Sequence, residues 1–169
     1  MKSIKYILST FIVFSIIVSS CSKDDPEEQS AGPSFTVTAD GENLINNGSR
    51  TYTGVGDQGE MDMRITNKTD AAIHLVMKVI SISGIDGSQT ELCIGNCYSS
   101  ISAETIYPIG GSFELAANAT TNQGAVHVLN QDASNGDSEI LLKLYQVDSN
   151  NNELSSGTSI EFKYIYDAP

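Results

Sequence analysis

Cys93 and Cys97 stand four positions apart, with three residues between them, in "ELCIGNCYSS". Two thiols at that spacing either close a disulfide or supply half of a zinc site. Zinc needs four donors, and the set Cys93, Cys97, His74 and His127 would supply them. That spacing is unusual for zinc, and each histidine sits alone in an alternating segment. An even cysteine pair in an exported chain favours the disulfide. Gly95 and Asn96 tolerate positive φ, so the chain can turn back within Ile94–Asn96. A ring this short removes little unfolded-state entropy, about 2 kcal/mol, so it shapes a loop more than it holds a fold. The expectation is a Cys93–Cys97 disulfide, no metal, and a contact loop of Ile94, Gly95, Asn96 and Tyr98 at one end of the domain.

Other chemistry is thinner. Asp132, Asp137 and Glu139 in "DASNGDSE" offer carboxylates to a hard cation, but without the order of an EF-hand loop. His74 and His127 have no G-x-S-x-G elbow to serve. Tyr52, Tyr98, Tyr107 and Tyr145 offer stacking faces, although tyrosines also fill the edges of β-sandwiches. No catalytic residue is expected.

The third cysteine, Cys21, follows an export segment. Lys2 and Lys5 form a basic head, and Tyr6 to Val18 is mostly apolar. That core is short of the roughly 20 apolar residues a bilayer span needs and has the proportions of a secretory signal. "VSSC" resembles a lipobox, which implies cleavage before Cys21 and a diacylglycerol thioether on its sulfur. "SKDD", Ser22, Lys23, Asp24 and Asp25, resembles the surface-export signal of Bacteroidota lipoproteins. Residues 1–20 are thus read as signal peptide and 21–34 as a lipidated, acidic, flexible tether reaching roughly 20 Å. The resemblance implies an outer-membrane, lipid-anchored chain exposed at the cell surface, with no cofactor beyond that lipid.

Charge agrees with such an address. The chain carries nine basic and 21 acidic residues. Cleavage before Cys21 removes two of the basic ones, Lys2 and Lys5, and no acids, leaving a formal charge of −14. Nucleic-acid binding, which needs basic patches, is excluded as an expectation.

Residues 35–169 must position whatever site exists, and their pattern has period two. Inward faces read Phe35, Val37, Ala39; Met61, Met63, Ile65; Ile73, Leu75, Met77, Val79; Val126, Val128; Ile140, Leu142, Leu144; and Ile160, Phe162, Tyr164, Tyr166. Polar residues alternate with them, and "NKTD", "GIDGS", "ASNGD" and "DSNNNE" punctuate the runs. This predicts an all-β, antiparallel sandwich of about seven or eight strands.

The succession "RITNKTD", "HLVMKVIS", "ELCIGNCYSS", "FELAANATTNQGAVHV", "GDSEILLKLYQVDSNNNE" and "SIEFKYIY" resembles an immunoglobulin-like module of Bacteroidota surface proteins. Cys93, Gly95, Asn96, Cys97 and Tyr98 match its C-x-G-N-C-Y segment, with Ile94 where the family carries tryptophan. The module implies a fold and a compartment, and brings no catalytic residues. The functional expectation is a non-catalytic binding or accessory module with a protein partner at the cell surface, as a subunit of an outer-membrane protein complex. The alternatives are an extracellular enzyme or glycan-binding protein with a dispersed site, and a stand-alone structural lipoprotein.

Overall fold

The computed structural model describes residues 32–132 and 134–168. The signal peptide, Cys21, and the Ser22, Lys23, Asp24 and Asp25 run lie outside the described residues. Twelve strands follow in chain order: β1 Phe35–Ala39, β2 Glu42–Asn43, β3 Gly48–Tyr52, β4 Glu60–Asn67, β5 Ile73–Ser83, β6 Thr90–Ile94, β7 Asn96–Tyr98, β8 Thr105–Tyr107, β9 Phe113–Leu115, β10 Val126–Asn130, β11 Ser138–Val147 and β12 Ser159–Tyr166.

They form two sheets, ordered β2-β1-β4-β10-β6-β7 and β3-β12-β11-β5-β8, with β9 also paired to β5. Within the first, β1-β4-β10-β6 is the A-B-E-D order of an immunoglobulin-type sandwich; within the second, β12-β11-β5 is its G-F-C order. The all-β, immunoglobulin-like fold is therefore carried by the strand order itself. The surplus over seven or eight strands consists mainly of β2, β7, β8 and β9, each two or three residues long. One pairing is parallel: β3 runs alongside β12, with Gly48 to Tyr52 facing Phe162 to Tyr166.

Period two is realised as burial. All the inward residues named from the sequence are buried in one core between the sheets. In β5 the alternation slips by one after Val79, where the β5–β11 register shifts opposite Leu141 and Leu142. This bulge keeps Ile82 packed against the core.

Polar ties cross the core. Tyr164 on β12 stacks on Tyr52, with ring centroids 5.1 Å apart. Its hydroxyl donates to the Gly59 carbonyl at 2.6 Å and accepts from the Asn130 N–H at 3.2 Å, both on the side of the first sheet. Asn67 at the end of β4 donates to the Leu115 and Ala116 carbonyls at 3.1 and 2.9 Å, and its Oδ1 accepts from the Thr69 N–H. Tyr166 is as deeply buried as Tyr164, but its hydroxyl has no hydrogen-bond partner among the described residues.

The two tyrosines should thus answer differently to the loss of one oxygen. Tyr164→Phe strands a buried carbonyl and N–H and is expected to cost about 1–3 kcal/mol in urea unfolding. Tyr166→Phe leaves nothing unpaired and should be neutral or slightly stabilising. Equal costs for the two variants would contradict the cross-sheet role of Tyr164.

Candidate functional site

The outer face of the first sheet gathers the chemistry. In β6, Leu92 and Ile94 point into the core, so Glu91 and Cys93 point out. After Gly95 the chain reverses into β7, and Cys97 falls directly opposite Cys93. The two are joined as a disulfide, with Cα atoms 4.1 Å apart. Cys93 is buried and Cys97 exposed.

Gly95 is required at that reversal. Its φ is +70°, and a Cβ there would sit 2.8 Å from Phe113 Cδ2. Tyr98, opposite Leu92, turns inward and packs edge-to-face on Tyr107 of β8, centroids 4.8 Å apart. Its hydroxyl accepts from the Ile109 N–H at 2.9 Å. The hairpin therefore lies along the side of the sandwich, where the outermost strands of the two sheets meet. Ile94 is fully buried and belongs to the core. This corrects its placement in the contact loop, which narrows to Gly95, Asn96 and the partly exposed Tyr98. Next to Tyr98 stands an exposed residue with no sequence signal, Ile109, at 65% exposure, and a second, Ile106, at 43%, lies on the outer face of the neighbouring β8.

On β10, Val126 and Val128 face the core and turn His127 outward, into register with Cys93 on one side and Asp62 on the other. His127 Nε2 lies 3.0 Å from Glu91 Oε1. Its Nδ1 lies 3.0 Å from the Gly124 carbonyl and 3.3 Å from Glu60 Oε1. Gln131 Nε2 donates to Glu91 Oε2 at 3.1 Å, and Cys93 Sγ is 3.8 Å from Glu91 Oε1. The donor atoms of Glu91, Cys93, Cys97 and His127 all lie within 4.8 Å of one another. Next to them, Asp40, Asp57, Glu60, Asp62 and Arg64 line a surface hollow of about 710 Å³. Burial raises the Glu60 carboxyl above its ordinary pKa; His127 opposes that shift, and Asp62, Asp57 and Asp40 reinforce it.

The zinc set read from the sequence is not assembled. His74 lies on β5 in the second sheet, where its Nδ1 is 3.3 Å from Ser112 Oγ. Glu91 takes the fourth place instead. Its signal was available: two residues before Cys93, it shares that residue's face on any strand. The carboxylates of "DASNGDSE" are engaged separately. Asp132 accepts from the Ser134 N–H, Asp137 from the Ala168 N–H, and Glu139 pairs with Lys163. The four tyrosines form no single platform. Tyr98 and Tyr107 pack together, Tyr52 hydrogen-bonds Asp40 at the opposite edge, and Tyr145 lies beneath Lys143 on the second sheet.

No family model and no curated protein matches the chain. Among solved structures it is similar to the N-terminal domain of PorA, at 17% identity and TM-score 0.42, covering 79% of this chain and 98% of that one. It is also similar to the PapD-like domain 7 of human CEP192, at 11% identity and TM-score 0.46, covering 98% of each chain. A third similarity is to WR4, a C. elegans MSP family member, at 12% identity and TM-score 0.34, covering 72% and 92%.

Gly95→Ala combines left-handed strain with a contact on Phe113. It is expected to destabilise by about 1–3 kcal/mol in thermal or urea unfolding. In a Phe113→Ala background the substitution should cost less, because the steric part is gone. A cost that is the same in both backgrounds would refute the packing of Phe113 against the turn.

Proposed function

We propose that the protein is a lipid-anchored, cell-surface, non-catalytic binding module, serving as an accessory subunit of an outer-membrane protein complex. One observation carries the contact surface. Ile109 is exposed and hydrogen-bonded through its N–H to Tyr98 of a hairpin held by a disulfide, by Phe113 under Gly95, and by Tyr98 against Tyr107, and Ile106 is exposed on the adjoining outer face of β8. Apolar side chains on a rigid frame lose little entropy on binding, which favours recognition. Aromatic rings packed on each other offer no open stacking face, and this favours a protein over a glycan as partner. His127 is enclosed by Glu60, Glu91 and the Gly124 carbonyl, an arrangement that favours a structural role for it in the disulfide form over catalysis. The anchor rests on "VSSC" and the surface address on "SKDD".

Mass spectrometry of the mature protein should find an acylated N-terminus at Cys21, and Cys21→Ala should release the protein from membranes. An unmodified N-terminus elsewhere would end the lipoprotein reading. Alanine at Lys23, Asp24 and Asp25 should protect the protein from protease shaving of intact cells. For the contact surface, Ile106→Ser with Ile109→Ser should leave the melting temperature within a few degrees of wild type. The same variant should abolish recovery of the partner that cross-links to the wild type on cells. Undiminished recovery would place the contact elsewhere.

A further inference from the structure

We propose that reduction of the Cys93–Cys97 disulfide turns Glu91, Cys93, Cys97 and His127 into a four-ligand zinc site. The placement is set by backbone pairing, independently of the surface-module reading. Cys97 faces Cys93 across the β6–β7 ladder, and His127 faces Cys93 across β6–β10. Glu91 and Cys93 alternate onto the same outer face of β6. Three adjacent strands thus deliver two sulfurs, one imidazole nitrogen and one carboxylate oxygen to one spot, all within 4.8 Å. Zn–S bonds of about 2.3 Å and Zn–N or Zn–O bonds of about 2.0–2.2 Å set neighbouring donors roughly 3.2–3.8 Å apart. Glu91 Oε1 is already 3.0 Å from His127 Nε2 and 3.8 Å from Cys93 Sγ. The two sulfurs have to part, and the remaining donor pairs, all within 4.8 Å, have to settle into that spacing.

The surrounding contacts are those a metal site needs. A zinc-bound histidine commonly donates its other N–H to a carbonyl or carboxylate, which fixes the ring and its tautomer. His127 Nδ1 lies 3.0 Å from the Gly124 carbonyl, leaving Nε2 for the metal. The Glu91 carboxylate is steadied at Oε2 by Gln131, leaving Oε1 for the metal. Two thiolates with one nitrogen and one oxygen select zinc over calcium or magnesium.

The reductant is a dithiol. Its thiolate attacks the exposed Cys97 sulfur, the S–S bond breaks, and Cys93 leaves as thiolate. The second thiol of the reductant closes on the first and frees Cys97. Two electrons and two protons have then passed to the protein, and the reductant leaves as a disulfide. Zinc binding releases the two thiol protons to solvent. A five-residue ring contributes little to global stability, so the ladder survives its opening.

The test uses the full chain with Cys21→Ser, so that two thiols remain. The protein is reduced with a dithiol, desalted without oxygen, and titrated with zinc and, separately, with cobalt(II). The expected result is one zinc per chain, bound at least a hundredfold more tightly than by the oxidised protein. Cobalt should show tetrahedral d–d bands and thiolate charge transfer. Glu91→Gln and His127→Ala, checked for folding by circular dichroism, should each weaken zinc at least tenfold, whereas His74→Ala should not. Equal zinc affinity before and after reduction would overturn the proposal. So would an octahedral cobalt spectrum, unchanged affinity in Glu91→Gln, or unfolding on reduction.

Discussion

Burial of one face of each sheet against the other is the constraint on which everything else rests. Met61, Met63 and Ile65 on β4 are fully buried, as are Val126 and Val128 on β10 and Leu92 and Ile94 on β6. Slipping any of these strands by one residue would carry its apolar set into water and its charged set into the core. The register of β4, β10 and β6 is therefore fixed by the hydrophobic effect. The outer face inherits that register without contributing to it. His127 stands between Asp62 and Cys93 because its neighbours Val126 and Val128 have to face inward.

The sides of the sandwich are handled differently from its middle. Sheet edges expose unpaired N–H and C=O groups and invite pairing with other chains. On one side β7 and β8 are only three residues long, and Tyr98 and Tyr107 join them across the gap between sheets. On the other, Tyr52 of β3 reaches Asp40, just after β1. The disulfide belongs to this edge-building rather than to the core. It ties a strand that pairs through only three residues, and its ring is too short to restrain the rest of the unfolded chain.

Charge is spread to match. The chain is strongly acidic, yet Lys78, Lys143 and Lys163 are each paired with a carboxylate: Glu104, Glu153 and Glu139. On the first sheet the acids crowd instead around His127 and the hollow beside it. That crowding, rather than net charge, gives the outer face its character.

The sequence by itself determined the faces. Alternation in β1, β4, β5, β10, β11 and β12 named the buried side of each strand, because a half-buried strand has to alternate. It also favoured the Cys93–Cys97 disulfide, as an even cysteine pair in an exported chain, over a zinc site. The short strands β2, β7, β8 and β9 escaped notice because two or three residues cannot display a period. Only the tertiary structure decided which strand lies beside which. Period two says that a residue faces outward but not on which sheet, so His74 and His127 looked equivalent from the sequence. Pairing of β10 with β6 brought His127 to Cys93, while pairing of β5 with β11 took His74 to the opposite sheet. The parallel run of β3 along β12 and the burial of Ile94 were decided the same way. Each depends on contacts between residues distant in the chain, and a local pattern carries no record of them.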